Sequence, residues 1–521
     1  MKTRTGNLLR IAALLIAVIS AAAFMTVPQA FAKSSMKLSA KKITLTAGKS
    51  RILKLSGTSK KAKWYVSGKK LVTVRAKGSK RHKAVVKAGK KAGTCYVKVT
   101  AGGKTIKCRG TVKATPKKEE FKEKPLSDSS EDLTAKIARD PVTGKDTDVL
   151  FTEAMTGTAL KMLKYLSANE TDRTRNVLIS PDSILTAMAM AENGASGNTL
   201  SEMEKAFGNV SAEDLSRYLY SLNGRLTSSK SVKYHIADSV WFRKNEITVK
   251  DEFLKKNADY FKAQIFAAPF SDETLNDINN WVYNNTRGMI PSILNRLTDD
   301  NVLILLNAIA FEGRWMDEYS DHQVSSKPFY NEDHSVQKNV NILSGKESTY
   351  VNVGGADGFV KPYAGGEIAF MGLQTPEGMT VDQFIQSLDA DAFIQGYKDK
   401  TDKYDVITKM PEFKYDYDTS LVDTLKDLGI KDAFSDDFAD FSGITPPDQP
   451  VVISDVIHKT HIELDRCGTK AAAVTAVIVD KASSMPVEKE KKNVSLDHPF
   501  VYAIIDTESG IPLFIGTVKT V

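Results

Sequence analysis

The sequence predicts two unlike parts, a small all-β sandwich followed by a larger α+β domain, and three observations predict them. Charge is divided: residues 36–115 hold 24 Lys and Arg and no Asp or Glu. Residues 1–35 add four cations and the whole chain is only +9, so residues 116–521 carry a net −19. Periodicity is divided as well. Short alternating runs broken by glycines fill residues 36–114, whereas helical and strand periods mix from Asp146 onward. Finally, 521 residues exceed what one ordinary core supports.

The chain opens with a basic stretch, MKTRTGNLLR, an apolar run, IAALLIAVISAAAFM, and a small-x-small site at Ala30–Ala32. This is the pattern of a secretory signal peptide over 1–32, cut after Ala32. The apolar run is short for a membrane anchor, no Cys follows it, and no later stretch is long and apolar enough to span a bilayer. A secreted protein, extracellular or held at the cell surface, is expected. Three cysteines, Cys95, Cys108 and Cys467, are too few for a disulfide framework. Cys95 and Cys108 flank a hairpin turn, AGGK, and no cysteine pair has metal-ligand spacing.

Within residues 36–114, KLSAKKITLTAGKSRILKL alternates, turns at Gly48 and alternates again. KAKWYVSGKKLVTVRAKGS repeats the habit with Trp64 as its large core aromatic, and KAGTCYVKVTAGGKTIKCRGTVKA reads as a closing hairpin. The LTAGKS, KWYVSGKKLVTV and KAGTCYVKVTAGGK segments resemble the bacterial immunoglobulin-like modules of the group-2 type, found on secreted surface proteins. Two readings stand for the charge. One is adhesion to a polyanion such as an anionic cell-wall polymer, an acidic polysaccharide or an anionic lipid. The other is a spacer kept soluble by its lysines. No nucleic-acid partner is expected, since no recognition motif is present. Residues 115–145 are charged, contain proline and lack aromatics beyond Phe121, so they read as a linker.

The domain over 146–521 begins with helical spacing in VLFTEAMTGTALKMLKYL. Ser180-Pro181-Asp182-Ser183 is a helix start, with Ser180 as cap and Pro181 at the first helical position. Strand and helix signals follow in YHIADSVWFRKN, INNWVYNNTRGMIPSIL, NVLILLNAIAFEGRW and VITKMPEFKYDY. LVDTLKDLGIKDAF reads as an amphipathic helix with Gly429 near its end, and HPFVYAIIDTESGIPLFIGTVKT as a buried hairpin. Enzyme signatures are missing: there is no G-x-S-x-G, H-E-x-x-H, Walker loop or dinucleotide fingerprint. His458 and His461 are three apart on a strand and so face opposite sides, which disfavours a ligand pair. The chain is expected to be no enzyme and to need no cofactor or metal.

Five segments in order resemble the serpin family: NVLISPDSILTAMAMAENGASGNT, INNWVYNNTRGMIPSIL, LLNAIAFEGRW, DVIHKTHIELDRCGTKAAAVT and LDHPFVYAIIDTESGIPLFIGTV. The resemblance implies an α+β serpin fold, many helices around a large, mostly antiparallel sheet with a reactive loop. It places Ser180, Ser183, Asn307 and His458 in a polar shutter beneath that sheet and Trp315 at its top. It makes Gly468, Thr469, Lys470, Ala471, Ala472 and Ala473 the hinge of an exposed bait loop. A serine protease would be trapped covalently as the cleaved loop enters the sheet, the strand addition for which this family is the known example. The residues fit that demand. With period two, Thr469, Ala471, Ala473, Thr475, Val477 and Val479 share one face, uncharged and no larger than valine.

Counting from the hinge puts the reactive bond between Ala482 and Ser483, suited to elastase-like or subtilisin-like proteases. Lys481–Ala482 is the alternative bond, suited to a trypsin-like target. The loop is long, with 31 positions from Gly468 to Pro499, and its surplus is expected in VEKEKKN. Arg466 stands where the family usually has Glu, so an ion pair at the top of the sheet is absent or rebuilt. Lys470, Val474 and Cys467 are further departures. A second reading is a monomeric non-inhibitory serpin that acts as a binding, chaperone or surface-adhesion protein. A charged or proline-rich hinge would favour it; this hinge has no proline, and its one charge, Lys470, lies off the face shared by Thr469, Ala471 and Ala473.

Overall fold

A computed structural model describes residues 35–114, 121–298, 300–469 and 489–521, which form two compact units divided after residue 120. The first unit has strands β1 (Lys37–Leu38), β2 (Lys42–Thr46), β3 (Ser50–Ser56), β4 (Lys63–Ser67), β5 (Val72–Lys77), β6 (Lys83–Ala88), β7 (Gly93–Ala101) and β8 (Lys104–Lys113). They make two four-stranded sheets, β1-β3-β6-β5 and β2-β8-β7-β4. Alternation puts Leu53, Val86, Val97, Cys108 and Val112 from both sheets into one core and leaves the cations outside. The Trp64 indole donates to the Arg81 carbonyl at 2.7 Å. Cys95 and Cys108 both point inward but are not bonded, and burial raises both thiols.

The second unit continues with β9 (Glu131–Asp132), α1 (Val149–Asn169), β10 (Leu178–Ile179), α2 (Pro181–Glu192), α3 (Gly197–Ala206), α4 (Ala212–Ser228), β11 (Val232–Arg243), α5 (Asp251–Phe261), β12 (Gln264–Ala268) and α6 (Asp272–Asn285). Then come β13 (Leu303–Arg314), β14 (Val324–Tyr330), β15 (Val336–Glu347), β16 (Thr349–Val353), β17 (Ala356–Pro362), β18 (Ile368–Gln374), α7 (Val381–Ser387) and α8 (Ala390–Lys398). The last elements are β19 (Tyr404–Pro411), β20 (Phe413–Ser420), α9 (Val422–Asp427), β21 (Asp455–Asp465), β22 (Gly468–Thr469), β23 (Glu490–Ser495), β24 (Phe500–Asp506) and β25 (Pro512–Val518).

The main sheet runs β20-β21-β22-β13-β11-β12-β9, beside a six-stranded sheet, β10-β25-β24-β18-β17-β16, and a four-stranded one, β14-β15-β19-β23. Helix α2 is buried along all twelve residues; of its two acids Asp182 is bonded to Tyr234, whereas buried Glu192 has no hydrogen-bond partner and burial raises its pKa to about 8. The helix packs against both β13 and β25, which puts its start beneath the main sheet. Among the described residues no helix is long and apolar enough to cross a membrane.

Two expectations need correction. From Phe121 on, the segment read as linker is part of the second unit. Asn284 exchanges hydrogen bonds with the Lys124 backbone at 2.8 Å each way, and β9 pairs with β12. Buried Asp277 accepts from Ser127 N at 2.8 Å, Ser127 Oγ at 2.5 Å and Ser130 Oγ at 2.7 Å. A polar composition hides this because many of the contacts are hydrogen bonds, joined by a few scattered apolar anchors: Phe121 stacks on Tyr283, and Leu126, Leu133 and Ile137 pack against the core. The VEKEKKN stretch, expected to hold loop surplus, is in part a strand: Glu490–Asn493 belong to β23, which pairs in parallel with β19.

Asp277→Ala strands three donors, and hydrogen bonds to a charged group are worth about 1.5–3 kcal/mol each at most. The variant is expected to lose about 2–3 kcal/mol of stability, read by denaturant unfolding. Limited proteolysis should then cut within residues 121–130, which resist in the parent chain.

Candidate functional site

The site lies along the middle of the main sheet. Strands β13 and β21 pair in parallel from Ile304–Asp455 to Ala310–His461, with Asn307 opposite His458. His458 Nδ1 and Asn307 Oδ1 are hydrogen-bonded, and the other ring nitrogen receives the Ser180 amide at 3.3 Å. Asn307 Nδ2 donates to Ser183 Oγ at 2.5 Å and to Asp238 Oδ1 at 2.7 Å. Ser180 Oγ donates to the Leu513 carbonyl at 2.8 Å. Thus Ser180, Ser183, Asn307 and His458, from α2 and two strands, meet in one buried network. The ring must be neutral to accept the Ser180 amide, and burial lowers its pKa to about 3.

Sequence reasoning missed the acids of this network. Asp238, on β11, is the cross-strand partner of Asn307. Its Oδ2 is shut off from solvent without a hydrogen-bond partner, although the residue keeps a partly open flank. Burial, then the charge of Asp182, raise its pKa well above the usual range, while Asn307 and Ser183 pull it back. Asp182, on α2, is raised to about 7 by burial against the Tyr234 hydroxyl donating at 2.9 Å. The one available signal was a lone acid in the strand HIADSVWF.

At the top of the sheet the chain reverses. Asp465 Oδ1 accepts from Cys467 N at 2.6 Å and Gly468 N at 3.2 Å. Strand β22 then enters between the two central strands, antiparallel to both. Thr469 faces Gly313 and Leu464, and Gly468 faces Arg314 and Asp465. Only glycine fits at 468, because its φ is +146° and a Cβ would lie 2.0 Å from the Gly313 carbonyl. Thr469 is 1% exposed and shares a 2.6 Å hydrogen bond with the Tyr363 hydroxyl. Trp315 stacks on the Tyr363 ring at 4.5 Å, and its indole donates to the Asp465 carbonyl at 3.0 Å. Buried Lys361 lies over the Tyr319 ring at 4.5 Å and pairs with Glu347 at 2.8 Å.

The missing ion pair is rebuilt. The Arg466 side chain pairs with Asp321, its amide donates to Glu412 at 3.2 Å, and its carbonyl accepts from Tyr319 N at 3.0 Å. Cys467 sits beside it with its thiol pKa raised by burial and Asp465. Lys470, Ala471, Ala472, Ala473, Lys481, Ala482 and Ser483 lie outside the described residues.

Residues 153–520 match the family described as Serpin (serine protease inhibitor). The human leukocyte elastase inhibitor is 29% identical over 372 residues, 68% of this chain and 95% of that protein. A serpin-like protein of Methanosarcina acetivorans is 28% identical over 371 residues, 69% of this chain and 85% of that protein. Among solved structures, the thermophilic serpin tengpin in its native state is 38% identical, covers 75% of this chain and 100% of its own, and has a TM-score of 0.70. Its latent state covers 73% of this chain with a TM-score of 0.62.

The raised Asp238 pKa sets a pH dependence. The folded carboxyl holds its proton above the unfolded value near 3.8, so the folded state binds more protons and stability falls as pH rises beyond that value. Asp238→Asn keeps the shape and removes the titration. Its stability relative to the parent should therefore climb between pH 4 and 7, by up to about 1.4 kcal/mol per unit. His458 acts oppositely, because its lowered pKa removes stability as pH falls from 6.5 toward 3, and it is common to both proteins. Denaturant titrations across that range decide, and a pH-independent difference would place the proton elsewhere.

Proposed function

Because the chain belongs to the serpin family, we propose that it inhibits serine proteases, elastase-like or subtilisin-like, as a suicide substrate. The observation that carries this reading is the register of β22. Each residue beyond Thr469 would step down β13 and β21 together. Ala471 would then meet Phe311 and Ile462, Ala473 would meet Ile309 and Thr460, and Thr475 would come between Asn307 and His458. Both neighbours are consistent at every step, and all these positions share the face of buried Thr469. Insertion would exchange one parallel ladder for two antiparallel ones, and antiparallel pairing is somewhat stronger per residue.

The chemistry is the protease's own. Its serine Oγ attacks the Ala482 carbonyl carbon, the Ser483 amine leaves, and an ester joins the two proteins. The freed strand inserts before water reaches that ester. Small hinge side chains keep this fast, since neither Ala471 nor Ala473 has to displace the core. Similarity to the leukocyte elastase inhibitor supports the elastase-like preference. The leader over 1–32 exports the chain. The basic unit, an immunoglobulin-like sandwich over 36–114, tethers the inhibitor to an anionic cell-wall polymer or polysaccharide at the cell surface.

Incubation with pancreatic elastase should give a band stable to denaturing electrophoresis and a released peptide that begins at Ser483. Simple cleavage without the band would make the chain a substrate. Release of a peptide beginning at Ala482 by trypsin, with a trapped complex, would move the target class.

Thr475→Arg is expected to raise the inhibitor consumed per protease by more than tenfold. The arginine would have to enter the buried polar network, at a cost of several kcal/mol for an unpaired charge. Unchanged stoichiometry would rule out the inserted register.

A further inference from the structure

The two outer faces of the N-terminal unit differ. On the β1-β3-β6-β5 sheet, Lys54, Lys83 and Lys77 stand side by side across three strands, with Arg75 and Lys87 nearby and no aromatic ring. On the β2-β8-β7-β4 sheet, cations and rings share two rows. One row is Lys107, Lys98 and Tyr65; the next is Lys42, Arg109 and Tyr96. Tyr65 is 52% exposed and Tyr96 43%. Because Tyr65 faces Lys98 and Tyr96 faces Ser67, the two tyrosines are diagonal neighbours on adjacent strands, at positions about 7–8 Å apart along the backbone. Residues 36–114 contain no acid, so none of these cations has a counter-charge within that stretch. Lys98 directly opposite Lys107 is unfavourable in isolation.

We infer that this second face binds an acidic polysaccharide, with sugar rings lying on Tyr65 and Tyr96 and carboxylate or sulfate groups meeting Lys98, Lys107, Arg109 and Lys42. The electron-rich ring faces attract the polarised C–H groups of a sugar. The cations supply the complementary charge and the screening-sensitive part of the affinity. A flat sheet suits an extended polymer. A bilayer would call for more apolar surface than two rings provide. This inference rests on the tethering reading above and adds to it a face, a ligand chemistry and a role for the rings.

The test uses the chain without residues 1–32, with polygalacturonate as the acidic polymer, dextran as the neutral one and a poly-dT oligonucleotide. Binding to polygalacturonate is expected at about 150 mM salt, stronger at about 20 mM, with none to dextran. Tyr65→Ala/Tyr96→Ala should weaken it about tenfold or more, and Tyr65→Phe/Tyr96→Phe should restore it. Lys77→Ala/Lys83→Ala, on the other face, should change it less than threefold. If the alanine pair fails to fold, Lys98→Gln/Lys107→Gln takes its place with the same tenfold expectation. Equal losses from both faces would leave a diffuse charge tether and overturn the assigned face. Tighter, ring-dependent binding of poly-dT would overturn the polysaccharide. No binding to any polyanion at low salt would overturn the tethering reading itself.

Discussion

The architecture turns on a single seam, the parallel ladder between β13 and β21 in the middle of the main sheet. Two long strands meet there without a connection between them, and a two-residue strand already parts them at one end. Everything else supports that seam or waits on it. Beneath it run the buried helix α2 and its polar cap. Above it, Trp315, Tyr363 and Lys361 grip the turn that delivers Gly468 and Thr469. A sheet closed by strong antiparallel pairing throughout would have no such place to open.

The polar network makes the seam specific as well as weak. The Asn307–His458 bond crosses it, and every other member attaches to one side or the other. Separating the strands breaks that bond, while Ser183 and Asp238 stay with Asn307. A threonine arriving between the pair brings a hydroxyl that can donate to one side and accept from the other, so the opened site need not be left with orphaned polar groups. An apolar residue there would strand both amide and imidazole. Burial raises the pKa of both acids on the α2 and β11 side, which disfavours charge in this interior.

Much of this was legible in the chain. The Ser-Pro cap and the alternation of the basic strands carry their physics locally, through φ preference and period. What escaped was non-local. Asp238 looks like a stray acid until the register sets it beside Asn307. Glu412 and Asp321 lie 54 and 145 positions from Arg466, and no pattern links them. The segment after Phe121 reads as solvent-loving because many of its anchors are serines and backbone groups meeting Asp277 and Asn284, and its apolar anchors, Leu126, Leu133 and Ile137, are too widely spaced to form a pattern. Polar composition is the same for a free tether and for a strap held by hydrogen bonds.

The two seated residues at the top of the sheet would change the kinetic character of the proposed insertion. Starting a new strand is the improbable event, since several torsions are fixed before any ladder is formed. Here that event is complete in the resting fold, as Gly468 can approach the Gly313 carbonyl only because it lacks a side chain. On the proposed reading, later residues would only have to extend an existing edge. The process would become a zipper with its slider engaged, its pace set by how readily the seam opens ahead of it rather than by any search.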